Sequence, residues 1–272
     1  AKGGITELLC LPNTKPVIQS KDTLTYLKMK SASQIVSVHS SGAISQDCKG
    51  EEMTEMLDMN KAGAIAFTDG HNPIWHNGIL LKSLQYLDKI NGLVIQKSFD
   101  KYLSKNGQMH EGINSTLLGF KAIPSISEYM SVQKDIELLK YAGTGRLHFS
   151  CISTKEAVEL IRQAKKQGLN VTSDVAVHQL VFDDSTINSF DANYKVMPPF
   201  RLADDIKALV EGLKDGTIDC IVSDHNPQDI ESKNLEFNYA EFGVIGLETL
   251  FAVINTFSDL SLDQIIDKIT TQ

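Results

Sequence analysis

The sequence predicts an α/β fold in which parallel strands alternate with helices and close into a TIM-like (β/α)8 barrel. Three observations carry that expectation. Short apolar runs alternate with amphipathic stretches along the 272 residues. Glycine stop signals close the clearest amphipathic stretches. Polar or charged residues recur at the carboxyl ends of the apolar runs, the face on which barrels build their sites.

The strand candidates are 5–10, 34–39, 63–68, 92–96, 146–151, 170–177 and 218–223. Runs of this length between turn signals suit strands buried on both faces. Helices are expected near 21–31, 51–61, 77–90, 125–142, 154–167, 203–215 and 246–257. In 154–167, Ala157, Leu160, Ile161 and Ala164 form one apolar stripe at helical spacing. Ser153-Thr154-Lys155-Glu156 has capping-box spacing at its start, and Gly168 stands at its end. In 203–215, Ile206, Leu209, Val210 and Leu213 repeat the stripe, and Gly216 closes it.

Strands each followed by a helix imply parallel pairing through right-handed crossovers. An open doubly wound sheet also satisfies that rule. The strand-end residues Asn13, His39, Asp69, Lys97, Cys151 and Asp224 favour the barrel. Seven strands plus one upstream make eight. The opening Ala-Lys-Gly-Gly reads as a helix end running into a strand. The first strand and flanking N- and C-terminal parts are therefore expected outside this chain, with 1–272 forming a single barrel domain. The Gly-punctuated stretch 97–123 is expected to be a loop that covers the site.

Composition narrows the function classes. The chain is 42% hydrophobic and 22% charged, with a net charge of −8. Such a surface repels a phosphate backbone, which argues against nucleic acid. No apolar run approaches the roughly 20 residues that span a bilayer. The scattered cysteines Cys10, Cys48, Cys151 and Cys220 form no C-x-x-C pair, which fits a reduced cytoplasmic setting.

The sharpest chemical feature is Ser223-Asp224-His225-Asn226-Pro227. An aspartate at a strand end, followed by histidine, can bind a metal or take a proton from a metal-bound water. A plain strand-end turn is the competing reading. His71, His76 and His110 fall in loop-like segments and are expected to be solvated. His148 is expected to be an interior or interface histidine, His178 is expected to be structural, and Trp75 to be packing.

Several ordered motifs together resemble the dihydroorotases of the cyclic amidohydrolase superfamily. Lys195-Val196-Met197-Pro198-Pro199-Phe200-Arg201 is similar to that family's N-P-P-L-R region. Asp215-Gly216-Thr217-Ile218-Asp219 matches D-G-T-I-D, and Ser223–Pro227 resembles T-D-H-A-P-H. Phe242-Gly243-Val244-Ile245-Gly246-Leu247-Glu248-Thr249 resembles F-G-I-x-G-L-E-T. Upstream, Leu11-Pro12-Asn13-Thr14-Lys15-Pro16 resembles M-P-N-T-x-P, and Phe67-Thr68-Asp69-Gly70 resembles F-S-D-D-G. Residues 147–161 resemble H-I-C-H-V-S-T-x-E-A-x-x-x-I.

The resemblance implies a zinc-dependent enzyme of pyrimidine biosynthesis that interconverts carbamoyl-aspartate and dihydroorotate. It implies that Asp224 is the catalytic proton shuttle and that Asn13 and His225 contact substrate. It further implies metal ligands at Asp69, Cys151 and Asp224, beside a His-x-His pair expected upstream of Ala1.

The departures point the other way. Lys97 stands where the family has a single histidine ligand, in Val94-Ile95-Gln96-Lys97. An ammonium group has no lone pair to give, and its charge repels Zn²⁺. Cys151 stands where a second histidine is expected and could bind as thiolate. Met197 and Gln228 replace an asparagine and a histidine of the substrate motifs. The sequence therefore predicts a dihydroorotase-like chain with a degraded zinc centre, possessing no metal cofactor, and a non-catalytic or assembly role. The alternative is an active zinc-dependent dihydroorotase. Inactive relatives of this kind support aspartate transcarbamoylase, so that partner is implied by resemblance, and a homo-oligomer is expected.

Overall fold

The computed structural model describes residues 1–270. Its strands are β1 (Glu7–Cys10), β2 (Ser37–Ala43), β3 (Ala64–Thr68), β4 (Leu93–Lys97), β5 (Met109–His110), β6 (Ala122–Ile123), β7 (Arg146–Ser150), β8 (Val171–Ala176) and β9 (Cys220–Val222). Its α-helices are α1 (Lys21–Ser31), α2 (Met56–Ala62), α3 (Asn77–Asp88), α4 (Ile113–Leu118), α5 (Ile126–Ala142), α6 (Lys155–Lys166), α7 (Ala203–Lys214), α8 (Ile230–Lys233), α9 (Leu250–Phe257) and α10 (Leu262–Thr270). The chain forms two compact units. The first contains 1–98, 133–150 and 164–172, and the second contains 99–132, 151–163 and 173–272.

In the first unit, β1, β2, β3, β4 and β7 pair side by side, all parallel. The register joins Ala43 to Thr68 and Lys97 to Ser150, so the carboxyl ends of these strands share one edge. Phe67, Val94 and Leu147 are wholly buried, as a sheet covered on both faces requires. Helix α1 begins at a capping box in which the Ser20 hydroxyl accepts from the Thr23 amide.

One strand differs from expectation. The sequence places His39 at the end of its strand, but β2 runs on to Ala43. His39 instead lies within the strand, paired with Leu9 of β1, and its ring nitrogen lies 3.0 Å from Glu7. The continuation Ser40-Ser41-Gly42-Ala43 has no large apolar side chain, so hydropathy hides it. Small residues are nevertheless what this tight stretch admits: a Cβ on Gly42 would meet Met59 and Phe67 at 3.0–3.1 Å.

In the second unit, β8 pairs with β9 and β5 pairs with β6, both parallel. The stretch expected to be a covering loop is folded: it carries β5, α4 and β6. Its apolar residues explain why. Met109 joins a core with Ile187, Val196, Phe200 and Phe237, and Phe120 stacks on Phe237 with centroids 5.0 Å apart.

A buried ion network ties this unit together. Glu128 accepts from the backbone amides of Ser153 (2.9 Å) and Thr154 (2.8 Å) and from both hydroxyls. Arg201 lies 3.8 Å from Glu128 and donates to Ser153 Oγ (3.0 Å) and Ile123 O (3.0 Å). Buried charges persist only when paired and hydrogen-bonded in this way. The Ser153 hydroxyl is thus turned to Glu128. The cap of α6 falls one residue later, where Thr154 Oγ1 accepts from Ala157 N. His110, expected in solvent, is buried beside Arg201 at 3.2 Å. Burial, then the arginine charge, lowers its pKa to about 4, so it is a neutral acceptor.

The first unit holds a comparable buried group. Gln96 Nε2 donates to Asp135 (3.0 Å) and its amide also clasps both backbone groups of Ile74. Lys134 lies 3.2 Å from Asp135. Burial raises the Asp135 pKa from 3.8 to about 6. A raised carboxyl pKa means that the folded state holds its proton longer than the unfolded chain, so stability is lost as pH climbs through that window. Urea unfolding at stepped pH is expected to show the wild type losing up to about 3 kcal/mol relative to Asp135→Asn across it. Parallel pH profiles would contradict this.

Candidate functional site

The residues singled out by sequence divide between the two units. Asn13, Asp69 and Lys97 belong to the first, and Cys151, Asp224 and His225 to the second.

In the first unit, Asp69 follows the end of β3 and is wholly buried. Its Oδ1 accepts from the amides of Ile44 (3.1 Å) and Ser45 (2.9 Å), and its Oδ2 accepts from the Ser45 hydroxyl (2.5 Å). That hydroxyl also receives Gly50 N at 2.7 Å. Burial raises the Asp69 pKa while these donors oppose the rise. The carboxylate therefore holds the loop after β2 in place.

Asn13 bridges the turn after β3. Its amide donates to Asp69 O (3.1 Å) and accepts from His71 N (2.9 Å). The turn pivots on Gly70 at φ +64°, and a Cβ there would fall 1.6 Å from Asn13 Oδ1. The asparagine thus fills the space that any side chain at position 70 would need. Lys97 ends β4, 7% exposed, in register with Ser150.

In the second unit, Cys151 follows β7 with φ +56°. Its amide donates to Asp174 Oδ1 at 2.6 Å. Asp224 lies just past β9 in a left-handed conformation, φ +43°. Such strain costs on the order of 1–3 kcal/mol and concentrates at functional positions. Its carboxylate lies 4.0 Å from His178 Nε2. His178 sits in the 3-10 turn Val177–Leu180 that follows β8, edge-on to Phe200 at 5.8 Å. His225 Nδ1 accepts from Gly246 N (3.1 Å), and a Cβ at Gly246 would come within 2.4 Å of Ser223 O. Glycine in Phe242–Gly246 is what lets that segment lie against 223–226.

His178, expected to be structural, is brought to Asp224 by the fold rather than by any spacing in the sequence. Gln228 donates to Phe242 O at 3.0 Å, so it too braces the same segment.

Within either unit, no three His, Cys, Asp or Glu side chains converge as a metal-holding group among the described residues. Asp69 already receives three donors.

Comparison with known proteins places the chain. The model of the family described as dihydro-orotase-like matches residues 1–157. The chain belongs to the dihydroorotase-like family. A dihydroorotase from Pelotomaculum thermopropionicum is 42% identical over 256 residues, covering 94% of this chain and 60% of its own length. One from Endomicrobium trichonymphae is 40% identical over 276 residues, covering 100% of this chain and 65% of its own. The chain thus spans between 60% and 65% of these two relatives.

Among solved structures, an L-hydantoinase from Arthrobacter aurescens superposes with a TM-score of 0.84 at 24% identity, over 99% of this chain and 62% of that one. A dihydroorotase from Saccharomyces cerevisiae in complex with 5-fluoroorotic acid gives 0.78 at 14% identity, over 99% and 76%. These likenesses show the fold: the α/β, parallel-stranded barrel architecture of the cyclic amidohydrolases.

Within this family member, Asn13 and Gly70 are coupled by space. Gly70→Ala is expected to displace the asparagine and strain the backbone, costing about 2 kcal/mol in urea unfolding. In an Asn13→Ala background the same change is expected to cost about half as much. Equal costs in both backgrounds would refute the coupling.

Proposed function

We infer that the protein is a dihydroorotase-like member of pyrimidine biosynthesis whose metal centre is degraded and whose role is assembly rather than turnover. The observation that carries this reading is Lys97, a buried cation closing β4 at the position of a histidine ligand in the family. Its ammonium repels a divalent ion and offers it no lone pair. The hydrogen bonds that engage Asp69 and Asn13 support the same reading, because each side chain holds backbone in place. Loss of the asparagine at Met197 removes a polar contact that a hydrogen-bonding substrate would need.

The role that remains for a preserved scaffold is association. Aspartate transcarbamoylase is the partner proposed, by analogy with inactive relatives, alongside self-association into a homo-oligomer. A cytoplasmic location fits both.

One observation favours a second reading, an active cyclic amidohydrolase. Asp224 and His178 lie 4.0 Å apart in a strained strand-end setting. Asp224 is the group that would move a proton at the reacting atoms, and His225, fixed by Gly246 N, would orient substrate.

The two readings part on the full-length protein. Zinc well below one per chain, no turnover of dihydroorotate, and co-purification with aspartate transcarbamoylase are the expected results. Stoichiometric zinc with turnover that Asp224→Asn abolishes would establish the enzyme reading instead.

A further inference from the structure

Each unit carries an exposed apolar face outside the site described above, and the two faces differ in charge. On the second unit, α4 presents Ile113 and Leu117, 79% and 78% exposed. Their spacing of four residues puts them on one side of the helix. Helix α4 packs against the 3-10 turn Asp184–Ser189. Phe190 caps that turn at φ +56°, half exposed, and meets Phe120 edge-on at 5.6 Å.

The rim of this face is acidic. Glu111 precedes α4, Asp183 and Asp184 open the turn, and Asp191 follows Phe190. Lys121 is the one lysine or arginine in 110–121 and 182–194. A second copy presenting the same face would set carboxylate against carboxylate, which disfavours a two-fold pairing here.

On the first unit, α1 has the opposite character. Tyr26 and Met29 are 62% and 73% exposed, and Ile35 beyond the helix is 89% exposed. The last turn carries Lys28 and Lys30 and no acid. Lys30 Nζ lies 5.6 Å from the Tyr26 ring centroid. At the other end of the helix Lys21 is offset by Asp22. In a chain of net charge −8 a basic apolar face goes against the overall balance. Exposed apolar side chains are ordinary singly, but clustered within a charged rim they mark association surfaces.

We propose that these two faces bind each other between copies of the chain. Ile113, Leu117 and Phe190 of one molecule receive Tyr26, Met29 and Ile35 of the next, with Lys28 and Lys30 against Glu111 and Asp191. The apolar side chains supply the burial, and the charges select partner and register. Such a contact joins two different faces, so it runs head to tail into a closed ring or an open chain. The inference deepens the self-association proposed above and rests on it, and it uses none of the metal-centre residues.

The test is sedimentation velocity on the purified full-length protein at rising concentration. Mass is expected to grow with concentration, and association to weaken as salt is raised. Leu117→Glu, a change at an exposed position, is expected to weaken association at least about tenfold. Glu111→Lys with Asp191→Lys, and Lys28→Glu with Lys30→Glu, are each expected to stay monomeric alone. Mixed, the two variants oppose unlike charges at both contacts and are expected to associate again. Asp191 also caps the turn Ala192–Tyr194, so folding of each variant is checked by circular dichroism. A monomer at every concentration would overturn this inference together with the self-association. A homo-oligomer indifferent to Leu117→Glu and to both charge reversals would overturn these faces and leave self-association standing. Folded variants that fail to associate when mixed would also overturn the pairing.

Discussion

A buried carboxylate must be met by donors, and that requirement organises both units of this protein. Asp69 gathers the backbone of Ile44 and Ser45. Glu128 gathers Ser153 and Thr154. Asp174 holds Cys151, and Asp205 holds the amides of Lys155 and Leu202. Each interaction fixes the start of a loop or helix that follows a strand. Hydrogen bonds to charged groups contribute about 1.5–3 kcal/mol apiece, so these loops are positioned by a few strong contacts rather than by many weak ones.

The same requirement bears on function. A carboxylate that pins backbone has fewer lone pairs to offer an ion, and Asp69 is in that position. Asn13 illustrates the parallel case for an amide. With glycine at position 70, the asparagine drops across the turn and joins Asp69 O to His71 N. Groups that the resemblance assigns to substrate and metal thus hold together the framework on which they stand. Membership of the dihydroorotase-like family is secure from the matched residues, and the proposed loss of chemistry follows from what occupies individual positions.

Much of the fold was legible in the sequence because its main cues are local. The apolar stripe of Ala157, Ile161 and Ala164 with Gly168 beyond it marks α6, and Leu209 and Leu213 mark α7. Cues failed where burial depends on small residues or on distant partners. Ser40-Ser41-Gly42-Ala43 continues β2 without any hydropathy signal. The segment containing Met109 and Phe120 looks like a loop until Phe237, far along the chain, supplies its packing partner. His110 reads as solvated because nothing nearby in sequence announces Arg201. Motif order located Asp224 and His225, whereas the approach of His178 to Asp224 is a tertiary fact.

The weight placed on Lys97 can be measured directly. Full-length wild type and Lys97→His would be loaded with zinc, dialysed and assayed for retained metal by mass spectrometry. Retention by the variant and not by the wild type is expected if the buried ammonium is what excludes the ion. Equal, stoichiometric retention by both would contradict that role.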